Sequence, residues 1–197
     1  LQTQVDKLKD ISSILLVGVG SSFNAASYGA KLFKHPGVFA NVAAMDSNST
    51  EDSDFKQFTK NSQKSGLVAL SQSGETQEVI ETVQLAQRHM VPVMSVVNEV
   101  GSTLATMTKC GVYTNAGPEH AALSTKSFTS QVVCLALMAM WFRQTKGEGG
   151  TDQSLAESLQ RLPISFGMLM RTQGVCKKAA KKLLSKDHCF VLGKGEF

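Results

Sequence analysis

Five short apolar runs punctuate the first 114 residues: "SILLVG" (13–18), "VFANVAAM" (38–45), "GLVALS" (66–71), "VPVMSVV" (91–97) and "CGVYT" (110–114). The first is almost purely Ile, Leu and Val, a pattern of strands buried on both faces rather than strands with one wet side. Between the runs lie helical patterns at 21–34, more weakly near 50–60, and most clearly at 75–89. In that last stretch Val79, Ile80, Val83, Ala86 and Met90 fall on one face at helical spacing. Strand and helix in alternation leave few architectures open. Parallel strands joined by right-handed helical crossovers make an α/β fold, a doubly wound, flavodoxin-like sheet of five strands with helices on both faces. This fold is the expectation for residues 1–150.

Composition removes several classes of function. The longest apolar run, "VVCLALMAMWF" (132–142), is too short for a bilayer and reads as a buried helix. The opening "LQTQVDKLKDISS" has no apolar core of an export signal, so a cytoplasmic protein without a membrane partner is expected. Cys110, Cys134, Cys176 and Cys189 are widely spaced and read as reduced thiols. The four histidines form no ligand-spaced cluster, and no metal is expected. The net charge of +4 owes everything to Arg171, Lys177, Lys178, Lys181, Lys182 and Lys186, a stretch without acids. Its lysine pairs recur every four residues, as on one solvated helix face, so no nucleic-acid partner is expected.

Beyond the fifth run come "NAGPEHAALSTKSFTSQ", the buried helix ending near Phe142, and the polar, Gly-rich "RQTKGEGGTDQS" (143–154). Residues 151–187 then carry two helical stretches, one interrupted at Pro163, expected to link domains and pack on the first. "CFVLGKGEF" (189–197) repeats the form of "ILLVGVGSSF" (14–23), an apolar strand followed by G-x-G. Residues 188–197 are therefore expected to open a second domain of the same kind, the chain being a fragment.

Hydroxyls crowd two loops. One follows the first strand (Gly18, Val19, Gly20, Ser21, Ser22), the other the third (Ser71, Gln72, Ser73, Gly74, Glu75, Thr76). In a doubly wound sheet both loops open into the crevice where ligands bind. Each precedes a helix whose first N–H groups lack partners and carry partial positive charge, so the pair reads as a phosphate site without a lysine. A single cap needs one hydroxyl; the second loop offers Ser71, Ser73 and Thr76 plus the Gln72 amide. The Gly18-x-Gly20 pair also invites a dinucleotide reading with Asp46 as the ribose acid. That fingerprint needs a third glycine where this chain has Phe23, so no nicotinamide cofactor is expected. A third polar cluster, Ser124, Thr125, Lys126, Ser127, Thr129 and Ser130, crowds the start of the apolar helix. Of the carboxylates near these loops, Glu75 falls in the first turn of a helix, which lowers its basicity, and Glu119 can at best orient its loop. No catalytic residue is expected within 1–197.

"LSQSGET" (70–76), "NAGPE" (115–119) and "STKSFTSQ" (124–131), together with "LQRLP" (159–163) and "LGKGEF" (192–197), resemble the first sugar-isomerase (SIS) domain of glutamine–fructose-6-phosphate aminotransferases across essentially the whole chain. The resemblance implies that Ser22, Ser71, Gln72, Ser73 and Thr76 grip the phosphate of fructose 6-phosphate, with Ser21 beside them. It further implies that Ser124, and Ala122 through its backbone, lie near the sugar. It implies a parent enzyme that makes glucosamine 6-phosphate without metal or cofactor. Such a parent has a glutaminase domain upstream and a second SIS domain carrying the catalytic groups, and it is a homodimer. Departures are visible: Val19-Gly20-Ser21-Ser22 stands for the usual Cys-Gly-Thr-Ser, Leu123 sits where Ala is expected, and 45–65 is longer than the family pattern. A tandem-SIS deaminase or deglycase, or a non-catalytic module that senses a sugar phosphate, fits the same residues.

Overall fold

Ser13–Gly18 form strand β1, buried throughout because both of its neighbours and both helical layers cover it. The other strands are β2 (Asn41–Asp46), β3 (Ser65–Ser71), β4 (Val93–Val97) and β5 (Gly111–Tyr113). They form one parallel sheet in the order β2-β1-β3-β4-β5, the doubly wound order expected. These observations come from a computed structural model that describes residues 4–34, 38–60, 64–147 and 153–193.

Alternate side chains of each strand serve opposite cores, as the pleat requires. Ile14, Leu16, Val68, Leu70, Met94 and Val96 face α2 (Ser21–Phe33) and α6 (Lys126–Lys146), meeting Ala25, Ala26, Phe33, Leu135, Met138 and Phe142. Leu15, Val17, Leu67, Ala69 and Val97 face α3 (Asp52–Lys60), α4 (Gln77–Arg88) and α5 (Thr103–Thr108) through Phe55, Val79, Val83, Ala86 and Leu104. Small residues on α2 let it lie close to the sheet: a Cβ on Gly29 would stand 2.6 Å from Leu135 of α6. Phe33, Phe39 and Phe142 cluster at the far end of that layer, Phe33 tilted against the other two and Phe39 edge-on to Phe142. Removing one such buried ring costs about 3–5 kcal/mol.

The chain falls into two compact units, Leu1–Gly150 and Thr151–Phe197. The second holds α7 (Gln153–Leu169), a 3-10 turn at Met170–Thr172 and α8 (Gln173–Leu183). Among the described residues no helix is long and apolar enough to cross a membrane.

Several boundaries differ from expectation. β2 begins at Asn41, because Val38 and Phe39 leave the ladder to pack into the aromatic cluster. Met90 is off the apolar face of α4 and 89% exposed. The helix stops at Arg88, and Met90 takes a left-handed φ of 57°. Its N–H reaches the Gln87 carbonyl and that of Val91 the Ala86 carbonyl, a helix stop that normally uses glycine. Pro163 does not interrupt α7. It frees one carbonyl four residues back, at Leu159, which lies on a helix without buried residues where water can satisfy it. Two short helices carried no readable period: α1 (Val5–Leu8), a single turn, and α5, six residues rich in Thr. Residues 188–193 make no strand, and 194–197 lie outside the described residues.

Candidate functional site

β1 and β3 are adjacent and parallel, so the loops that follow them leave the same carboxyl edge of the sheet. At the end of β1 the backbone passes tightly under the first turn of α2. A Cβ on Gly18 would lie 2.8 Å from the Ser22 carbonyl carbon, which leaves room only for glycine. Gly20 then takes a φ of 59°, and α2 begins at Ser21. Ser21 is partly exposed at the helix start. Ser22 is 8% exposed, and its Oγ accepts a hydrogen bond from Gln131 Nε2 of α6 at 3.0 Å.

The loop after β3 is built by its own hydroxyls. Ser71, 2% exposed, accepts the Gly74 N–H at 3.0 Å, and its Oγ lies 3.0 Å from Thr76 Oγ1. Ser73 Oγ accepts the Glu75 N–H at 3.2 Å. Thr76 is the N-cap residue of α4, yet its hydroxyl turns to Ser71 rather than to a helix N–H. Gln72 is half-buried and gives its carbonyl to the N–H of Asn98.

Asn98, buried at the end of β4, joins this loop to the next one. Its Oδ1 accepts from Thr114 Oγ1 and the Ala116 N–H, while its Nδ2 donates to the Gly117 carbonyl and to Glu99. From there Glu119 takes over. Its carboxylate accepts the N–H groups of Ala121, Thr125 and Ser127, and the hydroxyls of Thr125 and Ser127. These bonds, Ser127's hydroxyl first among them, hold the Glu119 carboxyl far below the usual carboxylate range. The turn they close puts Ser124 at a left-handed φ of 59° and leaves Ala122 and Leu123 exposed, Leu123 at 87%.

Glu75 differs from expectation. α4 starts two residues later, at Gln77, and the Glu75 carboxylate spans to α5. It accepts the Thr103 N–H at 2.8 Å and the Thr103 hydroxyl at 2.7 Å, which lowers its pKa. Asp46 caps the short turn at Ser47–Ser49 by accepting the Asn48 N–H. Burial pushes the Cys110 and Cys134 thiols up, away from the thiolate state a nucleophile needs.

All the residues singled out in the two hydroxyl loops and before α6 therefore gather at one sheet edge. Two positions that organise them carried no assigned role: Asn98 and Gln131. The signal for each was a polar side chain closing or interrupting an apolar pattern, Asn98 directly after "VMSVV" and Gln131 on the buried face of α6. A separate concavity of about 430 Å³, lined by Lys7, Asp10, Lys64, Ser65 and His89 among others, lies at the opposite, amino-terminal edge, where Asp10 and Lys64 pair at 3.1 Å. None of the hydroxyl loops reaches it.

Comparison with known proteins supplies the family. The model of the SIS domain matches residues 7–141. A glutamine–fructose-6-phosphate aminotransferase (isomerizing) of Symbiobacterium thermophilum is 38% identical over 130 residues, 65% of this chain and 21% of that protein. The enzyme of the same name from Chlorobaculum tepidum is 30% identical over 194 residues, 97% of this chain and 30% of that protein. The chain thus spans about a third or less of the length of these curated relatives. Among solved structures, the C-terminal domain of a glucosamine-fructose-6-phosphate aminotransferase from Francisella tularensis superposes with a TM-score of 0.81 at 22% identity. The match covers all of this chain and 55% of that one, and it speaks for the fold.

Proposed function

Because this chain belongs to the SIS domain family, we propose that its carboxyl-edge loops bind the phosphate of a hexose 6-phosphate, fructose 6-phosphate foremost. Ser22, Ser71, Gln72, Ser73 and Thr76 are the phosphate-binding residues in this reading. Ser21, Ser124 and the Ala122 backbone flank the sugar. The parent protein then converts fructose 6-phosphate and glutamine to glucosamine 6-phosphate.

One observation carries the proposal: the polarity of the hydroxyls. A serine has one proton to give and two lone pairs to receive. Ser22 and Ser73 each already accept an N–H from the protein, so their protons remain to be given. Ser71 accepts the Gly74 N–H; if it donates to Thr76, the Thr76 proton is also released outward. The loops thus present donors beside the positive ends of two helices, the arrangement an anion selects. Each such charge-assisted bond is worth about 1.5–3 kcal/mol.

The same geometry supports a binding domain without its own base. Glu75 and Glu119 are both held ionised by structural hydrogen bonds and lowered in pKa, the opposite of what a proton shuttle at neutral pH needs. The catalytic groups are assigned to a second SIS domain, to which 151–187 would lead. The glutaminase domain, a homodimeric assembly and a cytoplasmic location complete the reading.

Calorimetry tests it. Ser73→Ala should weaken fructose 6-phosphate binding by about 10- to 100-fold, the loss of one hydrogen bond to a charged group. Unchanged affinity would overturn the assignment. In deuterated water the chain should not exchange the C1 or C2 proton of bound sugar. Stereospecific exchange abolished by Glu75→Gln would show that it carries its own base.

A further inference from the structure

We propose that Gln131 is a positioning residue that sets the direction of the Ser22 hydroxyl and so arms the first loop for an anion. The inference rests on the phosphate reading above. Gln131 lies one turn into α6, is 1% exposed, and is separated from Ser22 by 109 residues of sequence. Its side chain donates from Nε2 to Ser22 Oγ at 3.0 Å.

The direction of that bond matters more than its strength. An amide carries both a donor and an acceptor, and here the donor faces Ser22. With a lone pair of Oγ occupied, the Ser22 proton cannot point back at Gln131 and must be offered elsewhere. Both partners are buried, so passing water does not reset the choice. A group that accepted from Ser22 would reverse the polarity and turn a lone pair toward the ligand. Lone pairs repel phosphate oxygens. Gln131 therefore decides whether Ser22 attracts or repels the anion while touching no part of it.

A glutamine in this place is also not what packing alone would select. The face of α6 that follows it bears Leu135, Met138 and Phe142, all buried and apolar. A leucine or methionine would continue that stripe without a polar group to satisfy. The side chain that is present instead reaches across to Ser22 in the first turn of α2, at the loop that follows β1.

The experiment measures fructose 6-phosphate binding by calorimetry and follows the bound ligand by phosphorus NMR. Gln131→Met removes the donor at similar volume and should weaken binding by about 3- to 10-fold, a part of one charged hydrogen bond. Gln131→Glu keeps the shape but offers an acceptor and a negative charge; its loss should exceed that of Gln131→Met at neutral pH. The phosphorus resonance of saturated ligand should shift in both. In a Ser22→Ala background, Gln131→Met should add nothing, because the hydroxyl it directs is gone. Wild-type affinity in a folded Gln131→Met protein, or its full effect retained without Ser22, would overturn the proposal. Should Gln131→Met lose the fold, Gln131→Glu decides alone. If wild type binds no fructose 6-phosphate and Ser73→Ala is equally silent, the phosphate reading itself fails. If Ser73→Ala weakens binding and the Gln131 variants do not, only the positioning role fails.

Discussion

The backbone N–H of Asn98 donates to the carbonyl of Gln72 at 3.1 Å, and the side chain of the same asparagine binds the loop that follows β5. One buried residue at the end of β4 thereby fixes two loops relative to each other. Asn98→Ala would leave the Ala116 N–H and the Gly117 carbonyl without partners. The expected cost is about 1–2 kcal/mol, because both hydrogen bonds are only partly buried and Gly117 is exposed, so water takes up part of the loss. Thermal unfolding should show a fall of several degrees, and amide exchange should quicken at Ala116. Asn98→Asp retains the acceptor but opposes the Gly117 carbonyl, so it should rescue little.

Glu119 provides a pH signature. Its folded-state pKa is lowered from 4.5 by hydrogen bonds from Ser127, Thr125 and Ala121. A depressed carboxylate contributes stability that is complete above its unfolded value and is lost as pH falls through the folded one. The melting curves of wild type and Glu119→Gln should therefore stay separated by a constant amount from pH 8 to about pH 5.5, above the range where the unfolded carboxyl titrates. Below that the gap should close. A gap that is constant down to strongly acidic pH would mean that the carboxylate charge is not what anchors the loop.

Gly74 and Ser102 are in close contact. Gly74 has a φ of 69°, and a Cβ there would lie 2.2 Å from Ser102 Oγ and 2.6 Å from Ser102 Cβ. Gly74→Ala should cost about 2–4 kcal/mol, combining left-handed strain with overpacking. Ser102→Ala alone should be neutral or slightly stabilising, because its buried Oγ has no hydrogen-bond partner among the described residues. Differential scanning calorimetry of the two variants checks both signs.

Met90 invites a stabilising change. It occupies a left-handed position at the end of α4 while its side chain is almost fully exposed. Met90→Gly should raise stability by up to about 1 kcal/mol, since it removes left-handed strain and gives up little packing. In a protein of this size that is about 2–4 °C in Tm. No rise in Tm would show that the exposed thioether holds contacts worth as much as the strain.

The sheet was legible because β1, β3 and β4 are continuous apolar runs and the helices between them have clear faces. The hydroxyl loops were legible because serines and glycines cluster where those runs stop. What escaped depended on pairs far apart in the chain. Glu75 lies beside α4 in sequence, but its carboxylate bridges to Thr103, and no local pattern announces that partner. Gln131 and Asn98 looked like single polar residues in apolar surroundings, and their partners became visible only once the strands were ordered. Val38 and Phe39 read as strand by composition, whereas the Phe33–Phe142 cluster drew them out of the ladder.

The bond between Ser22 and Gln131 also bears on how the domain is made. The first loop is synthesised before α6, yet its Ser22 hydroxyl is bonded by a helix that begins more than a hundred residues later. β1 itself can pair on its second side only after β3 has been synthesised. Contacts of such sequence separation are slow to form, because the chain between them must be ordered first. A nascent domain lacking α6 would carry the residues of the proposed anion site without the Gln131 bond that orients Ser22. Recovery of sugar-phosphate affinity during refolding should then trail the return of helical circular dichroism, so that ligand binding reports the last tertiary closure rather than the first.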